Sequence, residues 1–233
     1  MTMRPILAST LFLGIVVAAL LALALPMVAP IGPFYWDTLI YYDASARIAA
    51  GQMPSVDFMT PGGPLGYWLF HGVTRVFPDA QGLYAASWSI LLVSGPLMAV
   101  VVHQAAKTSL LKAALLAGPF LFFSLMPFNV EQFYPYPGAD GYGIYNRQPS
   151  QLLYALVAGL LFVEGQWIKA LIVGVSLLAL FLIKITGFLA ALPLVALALS
   201  TGRLSLGGLL GALTLLAVCL GGLEVTTGVV SAY

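Results

Sequence analysis

The sequence predicts an all-α fold: a polytopic transmembrane helical bundle of about seven spans, with interfacial helices in its first outer loop. Of the 233 residues, 61% are hydrophobic and only 7% are charged, whereas a soluble domain carries roughly 25% charged residues. Apolar stretches of span length recur along the chain, and most charged residues fall between them. A soluble fold of this length could not cover so much apolar surface, so the bilayer is the expected solvent.

The first apolar stretch follows Arg4 and is longer than the apolar region of a secretory signal peptide, which is about 7–15 residues. We therefore interpret it as a retained signal anchor that forms the first span. The predicted spans are 6–31, 82–104, 111–127, 150–165, 168–184, 185–200 and 205–222. They form one membrane domain over residues 1–233, with outer loops at 32–81 and 128–149.

Lysine and arginine in short loops predict the orientation, because they favour the cytoplasmic side. Segment 63–77 is too short and too polar at its end to predict a span, and we expect it to lie along the outer membrane face. The basic residues that then share the cytoplasmic side with the N-terminus are Arg4, Lys107, Lys112, Lys169 and Arg203. If segment 63–77 crossed instead, Lys107 and Lys112 would move outside and the basic bias would weaken.

The first outer loop begins with a predicted helix over residues 36–50, which Gly51 ends. Asp43 and Arg47 are four residues apart in the favourable acid-first order, which predicts an ion pair. Asp37 and Asp43 are six residues apart, about 240° around a helix, so they point in different directions. We therefore expect Asp43 to pair with Arg47 and Asp37 to remain available for another role.

The segment after Gly51 is dense in proline and glycine, which excludes a regular element there. Pro64 suits the first turn of a following helix. Several residues are of the types that anchor at a membrane interface: Tyr35, Trp36, Tyr67 and Trp68. The loop is therefore predicted to hold two interfacial helices joined by a turn. Gly62-Gly63 is not a phosphate-binding loop, because it lacks the required strand, spacing and lysine.

Two further features lie outside this loop. Loop 128–149 holds four tyrosines, two acids and one arginine, which fits a sugar-binding surface and equally an aromatic belt at the membrane interface. Lys184 interrupts an apolar sequence, and a lysine at mid-membrane is costly. We expect it at the outer end of a span, either snorkelling to the interface or anchoring a lipid phosphate.

Together these residues resemble the GT-C superfamily of polytopic glycosyltransferases, especially the branch related to protein O-mannosyltransferases and aminoarabinose transferases. The similarity covers roughly residues 30–190. The matching positions in the first outer loop are Asp37, Tyr41, Ala44–Ala50, Gly51-Gln52-Met53-Pro54, Asp57-Phe58 and Pro61-Gly62-Gly63-Pro64-Leu65. Later matches are Tyr145-Asn146-Arg147 at the start of one span and Lys184 at the outward end of another.

The resemblance implies transfer of a sugar from a polyprenyl-phosphate donor to an acceptor on the non-cytoplasmic face. Asp37 would be catalytic: it would accept the proton of the acceptor hydroxyl or help to hold a divalent cation. Lys184, assisted by Arg147, would neutralise the departing phosphate. The remaining residues of the implied substrate-binding set are Tyr41, Asp57, Tyr145 and Asn146. The expected partners are membrane lipids and the lipid-linked sugar, in a bacterial inner membrane.

The sequence departs from this family in two ways. Thr38 follows Asp37 where many relatives carry a second acid, and the chain is shorter than its relatives. The alternative is therefore a truncated, catalytically reduced accessory subunit in a larger membrane complex. A transporter or flippase is a third hypothesis, but the chain shows no repeated halves.

The remaining features predict no further chemistry. The net charge of +1 gives no reason to expect a nucleic-acid partner. His71 and His103 lack metal-ligand spacing to another ligand type, so neither is predicted to bind a metal ion. Cys219 lies in an apolar run and is the one cysteine, so it forms no internal disulfide.

Overall fold

The computed structural model describes residues 3–28, 35–126, 128–129, 138–139 and 143–233. The helices in chain order are α1 Met3–Ala22, α2 Trp36–Ala49, α3 Pro64–Val76, α4 Gly82–Trp88, α5 Leu91–Thr108, α6 Leu110–Leu125, α7 Ile144–Phe162, α8 Gln166–Ile183, α9 Ile185–Ser200, α10 Leu206–Thr227 and α11 Val229–Ala232. Between α6 and α7, β1 (Phe128–Asn129) pairs antiparallel with β2 (Gly138–Ala139). The predicted all-α fold is confirmed apart from this two-residue ladder.

The apolar helices fit an integral membrane protein. Within the described residues, α1, α8 and α10 are long and apolar enough to cross a bilayer, and α4 with α5 forms a fourth candidate bent by 44°. The apolar helices α6 and α9 have 16 residues each, about 24 Å at 1.5 Å per residue. That is short of a hydrocarbon core of about 30 Å. Each predicted span overlaps a helix or helix pair, although α1 ends at Ala22, before the predicted end of the first span at 31. By length and composition, three to four of these described elements qualify as crossings.

The buried centre of the bundle is formed by α5, α7 and α8, with α1 and α10 at its edges. The apolar window of α8 is 61% buried, against 17% for α1 and for α10. Helix α10 packs on α8 through small residues. A Cβ atom on Gly174 would lie 3.1 Å from the carbonyl oxygen of Ala212, and such close backbone approach is typical of helix packing in membranes.

One end of the bundle collects most of the basic residues, and we call it the basic end. It comprises the start of α1, the α5–α6 and α7–α8 junctions, and the α9–α10 loop. Lys169 Nζ donates to the carbonyl of Arg203 at 2.7 Å, and Arg203 Nη1 donates to the carbonyl of Leu161 at 3.4 Å. The basic residues at this end are Arg4, Lys107, Lys112, Lys169 and Arg203. They are the residues predicted to share one side of the membrane.

Helices α2 and α3 lie at the opposite end, beside the start of α7. The predicted signals position both helices: Gly51, with φ of +85°, follows the end of α2, and Pro64 occupies the first turn of α3. The predicted Asp43–Arg47 ion pair is confirmed at 2.8 Å. The ring of Tyr41 packs 4.7 Å from the ring of Tyr67, so the two helices form one aromatic layer over this end.

Candidate functional site

Asp37 is attached to the first turn of α7. Its Oδ2 accepts hydrogen bonds from the N–H groups of Gly143 at 2.5 Å and Ile144 at 3.2 Å. A helix start presents unpaired N–H groups and a partial positive charge, both of which stabilise a carboxylate. Asp37 is only 3% exposed. It is separate from the Asp43–Arg47 pair, as expected, but its carboxylate is engaged in joining α2 to α7.

Lys184 contacts the same turn of α7. It is the extended residue between α8 and α9, with φ of −161° and ψ of 120°. Its ammonium donates to Asn146 Oδ1 and lies 4.5 Å from the centroid of the Tyr145 ring, within cation–π range. Gly143 and Asn146 are three residues apart, about 4.5 Å along a helix axis. The structure thus brings Asp37, Tyr145, Asn146 and Lys184 to one helical turn.

The backbone on either side of Lys184 is held by two groups that the sequence did not single out for the site. Gly63 N–H donates to the carbonyl of Ile183 at 2.7 Å, and the N–H of Ile185 donates to the hydroxyl of Tyr233 at 3.1 Å. A Cβ atom on Gly63 would lie 2.3 Å from the carbonyl oxygen of Leu182. The Gly-Gly pair predicted only a turn, and Tyr233 carried no signal at all.

This close approach gives a stability prediction. Gly63→Ala is expected to lower the free energy of unfolding by roughly 1–3 kcal/mol, because the added methyl group forces the backbone of α8 away. Thermal unfolding in detergent measures the effect. The matched control is Gly72→Ala on α3, where no atom lies within 4 Å of the added Cβ. The control is expected to be neutral or stabilising, because alanine favours a helix over glycine. Equal melting temperatures for the two variants would contradict this account.

Tyr41 and Gln148 form a buried polar link beneath this turn. Tyr41 donates to Gln148 Oε1 at 3.2 Å, and Gln148 Nε2 donates to the carbonyl of Ala86 at 2.9 Å. Burial, followed by the neighbouring Tyr67 and Asp37, raises the pKa of Tyr41 well above its ordinary value. Burial likewise raises the pKa of Tyr67. Both phenols therefore stay protonated at neutral pH, and Tyr41 serves as a hydrogen-bond donor between α2 and α7.

Asp57 lies apart from the Asp37–Lys184 turn, and Arg147 lies at its margin. Asp57 is exposed and accepts a hydrogen bond from the N–H of Met53 at 2.6 Å, which closes its own loop. Arg147 lines a cavity of about 410 Å³ between α6 and α7, together with Asn146. Ser150 and Gln151 line the α7 side of this cavity as well, whereas the α6 side is mostly apolar and includes Phe120 and Phe123. A polar wall from α7 thus faces a mostly apolar wall from α6.

The described residues contain no group of three or more His, Cys, Asp or Glu side chains able to hold a metal ion. Asp37 contributes a carboxylate to the site, and Glu131 and Asp140 lie outside the residues that the structure describes. Most of the predicted aromatic loop 128–149 lies outside them as well.

The chain was compared with known protein families, curated proteins and solved structures. No protein family, curated protein or solved structure matches the chain. The fold defines a helical protein with three to four candidate membrane spans among its described residues.

Proposed function

We propose that this chain is the membrane module of a GT-C-type glycosyltransferase, which moves a sugar from a polyprenyl-phosphate donor to an acceptor on the non-cytoplasmic face. The observation that carries the proposal is the meeting of a carboxylate and an ammonium group at one turn of α7: Asp37 at Gly143 and Ile144, and Lys184 at Asn146. Glycosyl transfer needs both kinds of group, a base for the incoming hydroxyl and a cation for the departing phosphate.

In the proposed reaction, the acceptor hydroxyl oxygen forms a bond to the anomeric carbon of the sugar. The bond between that carbon and the phosphate oxygen breaks, and the phosphate leaves with its electron pair. Asp37 accepts the proton of the hydroxyl group. The N–H groups of Gly143 and Ile144 orient this carboxylate. Lys184, with Arg147 beside Asn146, stabilises the charge that develops on the phosphate.

The cavity between α6 and α7 supports a lipid-linked donor. Polar side chains of α7, among them Asn146 and Arg147, line one wall, and apolar side chains of α6 such as Phe120 and Phe123 line the other. A polyprenyl phosphate likewise combines a charged head with a long apolar chain. In this proposal the phosphate lies near Asn146, Arg147 and Lys184, and the chain follows the apolar part of the groove.

We also propose that the basic end is cytoplasmic in a bacterial inner membrane, because lysine and arginine in short loops favour that side. The N-terminus is then cytoplasmic, and the turn that joins Asp37 and Lys184 faces outward. The proposal includes seven crossings, in which the shorter helices α6 and α9 are accommodated by local thinning of the bilayer.

Cysteine labelling tests this orientation. In a Cys219→Ala background, Met59→Cys is expected to react with a membrane-impermeant maleimide in intact spheroplasts, because Met59 is 96% exposed in the first outer loop. The matched control is Thr201→Cys at the exposed start of the α9–α10 loop. It should react only after the membrane is permeabilised. The reverse pattern would overturn the orientation and place the proposed site in the cytoplasm.

A transfer assay tests the activity itself. The purified chain, in proteoliposomes with a panel of polyprenyl-phosphate sugars, is expected to release polyprenyl phosphate at a rate above that of empty liposomes. Mass spectrometry of the extracted lipids measures the release. Absence of release with every donor and acceptor offered would count against catalysis by this chain.

One observation favours a second function, a catalytically reduced GT-C-like accessory subunit. Asp37 is 3% exposed and holds two backbone N–H groups, so its carboxylate also has a purely structural use. The accessory hypothesis expects a stable, inactive chain that always co-elutes with the same membrane partner. A chain that purifies alone and transfers sugar would eliminate it.

A further inference from the structure

The basic end carries a groove that the proposed reaction does not use. It lies between α1 and α6, is closed at its base by Val102 of α5, and has a volume of about 330 Å³. Its wall runs from Arg4 to Ile15 on α1 and from Leu110 to Leu121 on α6. Arg4 is the only charged residue that lines it; every other lining residue is apolar.

The length of the groove matches one leaflet of a bilayer. Eleven residues of helix, the distance from Arg4 to Ile15, rise about 16 Å, close to half of a hydrocarbon core of about 30 Å. Leu7 and Leu11 are each 65% exposed along it, so the groove is open towards the membrane. A transmembrane helix of a partner would follow the bundle over the full core, whereas a lipid chain occupies one leaflet only.

The charge around the groove decides which lipid fits. Arg4 lies at its mouth, and Lys107 lies at the same end of the bundle. Among the described residues at this end, Glu164 is the only acid. Basic pockets between transmembrane helices are typical sites for anionic lipid headgroups.

We propose that the α1–α6 groove binds an anionic glycerophospholipid, with an acyl chain along the groove and the phosphate beside Arg4. This site is separate from the Asp37–Lys184 turn, which lies at the other end of the bundle. Its occupancy therefore does not depend on the proposed sugar transfer, and either proposal can fail alone.

Native mass spectrometry of the delipidated full chain tests the site with three probes: phosphatidylglycerol, phosphatidylcholine and undecaprenyl phosphate. Phosphatidylglycerol is expected to show the tightest binding that depends on Arg4. Arg4→Gln should weaken it about fivefold, the effect of one surface cation on an anionic lipid. The charge control is Lys112→Gln, because Lys112 faces the ring of Phe162 at 6.0 Å rather than the groove. It should weaken binding much less.

A second variant fills the groove. Ala117→Phe, which places a ring among the lining residues, should reduce phosphatidylglycerol binding, whereas Leu115→Phe, outside the lining, should not. Equal binding of phosphatidylcholine would overturn the headgroup assignment, as would equal effects of Arg4→Gln and Lys112→Gln. Tight binding of undecaprenyl phosphate that falls with Arg4→Gln and is unchanged by Lys184→Gln would place that lipid in this groove and overturn the choice of glycerophospholipid. Unchanged binding by folded Ala117→Phe would overturn the groove itself. Should Ala117→Phe fail to fold, the Arg4→Gln comparison still decides the proposal.

Discussion

Replacing Asp37 with asparagine is expected to abolish sugar transfer while leaving the chain folded. The amide keeps an oxygen that can accept hydrogen bonds from the N–H groups of Gly143 and Ile144. It cannot accept a proton from the acceptor hydroxyl at neutral pH. Loss of a general base lowers the rate by about 10²–10⁴-fold, and the proteoliposome transfer assay measures this loss.

Two companion variants separate catalysis from folding. Asp37→Ala should lose transfer and also about 0.5–2 kcal/mol of stability, because it removes the cap from α7. Asp43→Asn is the matched control on the same helix. It breaks an exposed pair with Arg47, worth about 0.2–1 kcal/mol, and should leave transfer unchanged. Full turnover by Asp37→Asn would remove the proposed role of this carboxylate.

Replacing Lys184 with glutamine is expected to produce the second large loss. Glutamine can still donate a hydrogen bond to Asn146, but it has no charge to place beside the departing phosphate. Removing one group that stabilises developing charge costs about 10²–10³-fold in kcat. Loss of the cation–π contact with the Tyr145 ring costs only about 0.5–1 kcal/mol of stability at an exposed site.

The kinetic constants show how Lys184 acts. A fall in kcat would mean that its charge stabilises the transition state. A rise in KM alone would mean that it contributes to donor binding. Lys107→Gln, which removes a cation at the basic end, is the matched control and should change neither constant. A Lys184→Gln chain with wild-type kcat and KM would contradict the proposed phosphate contact.

The pair of variants also distinguishes the two candidate functions. A glycosyltransferase should lose activity with each substitution, and its free energy of unfolding should stay within about 1 kcal/mol of the wild-type value. An accessory subunit has no transfer activity to lose, and its partner should still co-elute with both variants unless the α2–α7 contact opens. The activity assay and the co-elution profile therefore give opposite results for the two functions.

Much of the helical structure could be predicted from local sequence. Apolar runs, Gly51 and Pro64 each act within a few residues, because helix formation and termination depend on neighbouring side chains and backbone angles. The Asp43–Arg47 pair is local for the same reason. The number of membrane crossings could not be predicted as well from the sequence, because an apolar run of 16 residues fits both a short span and a buried helix.

The sequence by itself determined the helices and the residue types at the end opposite the basic end: an early acid, an Asn-Arg pair and an isolated lysine. Only the tertiary structure decided that Asp37 contacts a helix start 106 residues away and that Gly63 and Tyr233 hold the backbone beside Lys184. Such contacts depend on how whole helices pack. Local sequence patterns do not predict which residues far apart in the chain come into contact. The same packing leaves Asp57 bonded within its own loop.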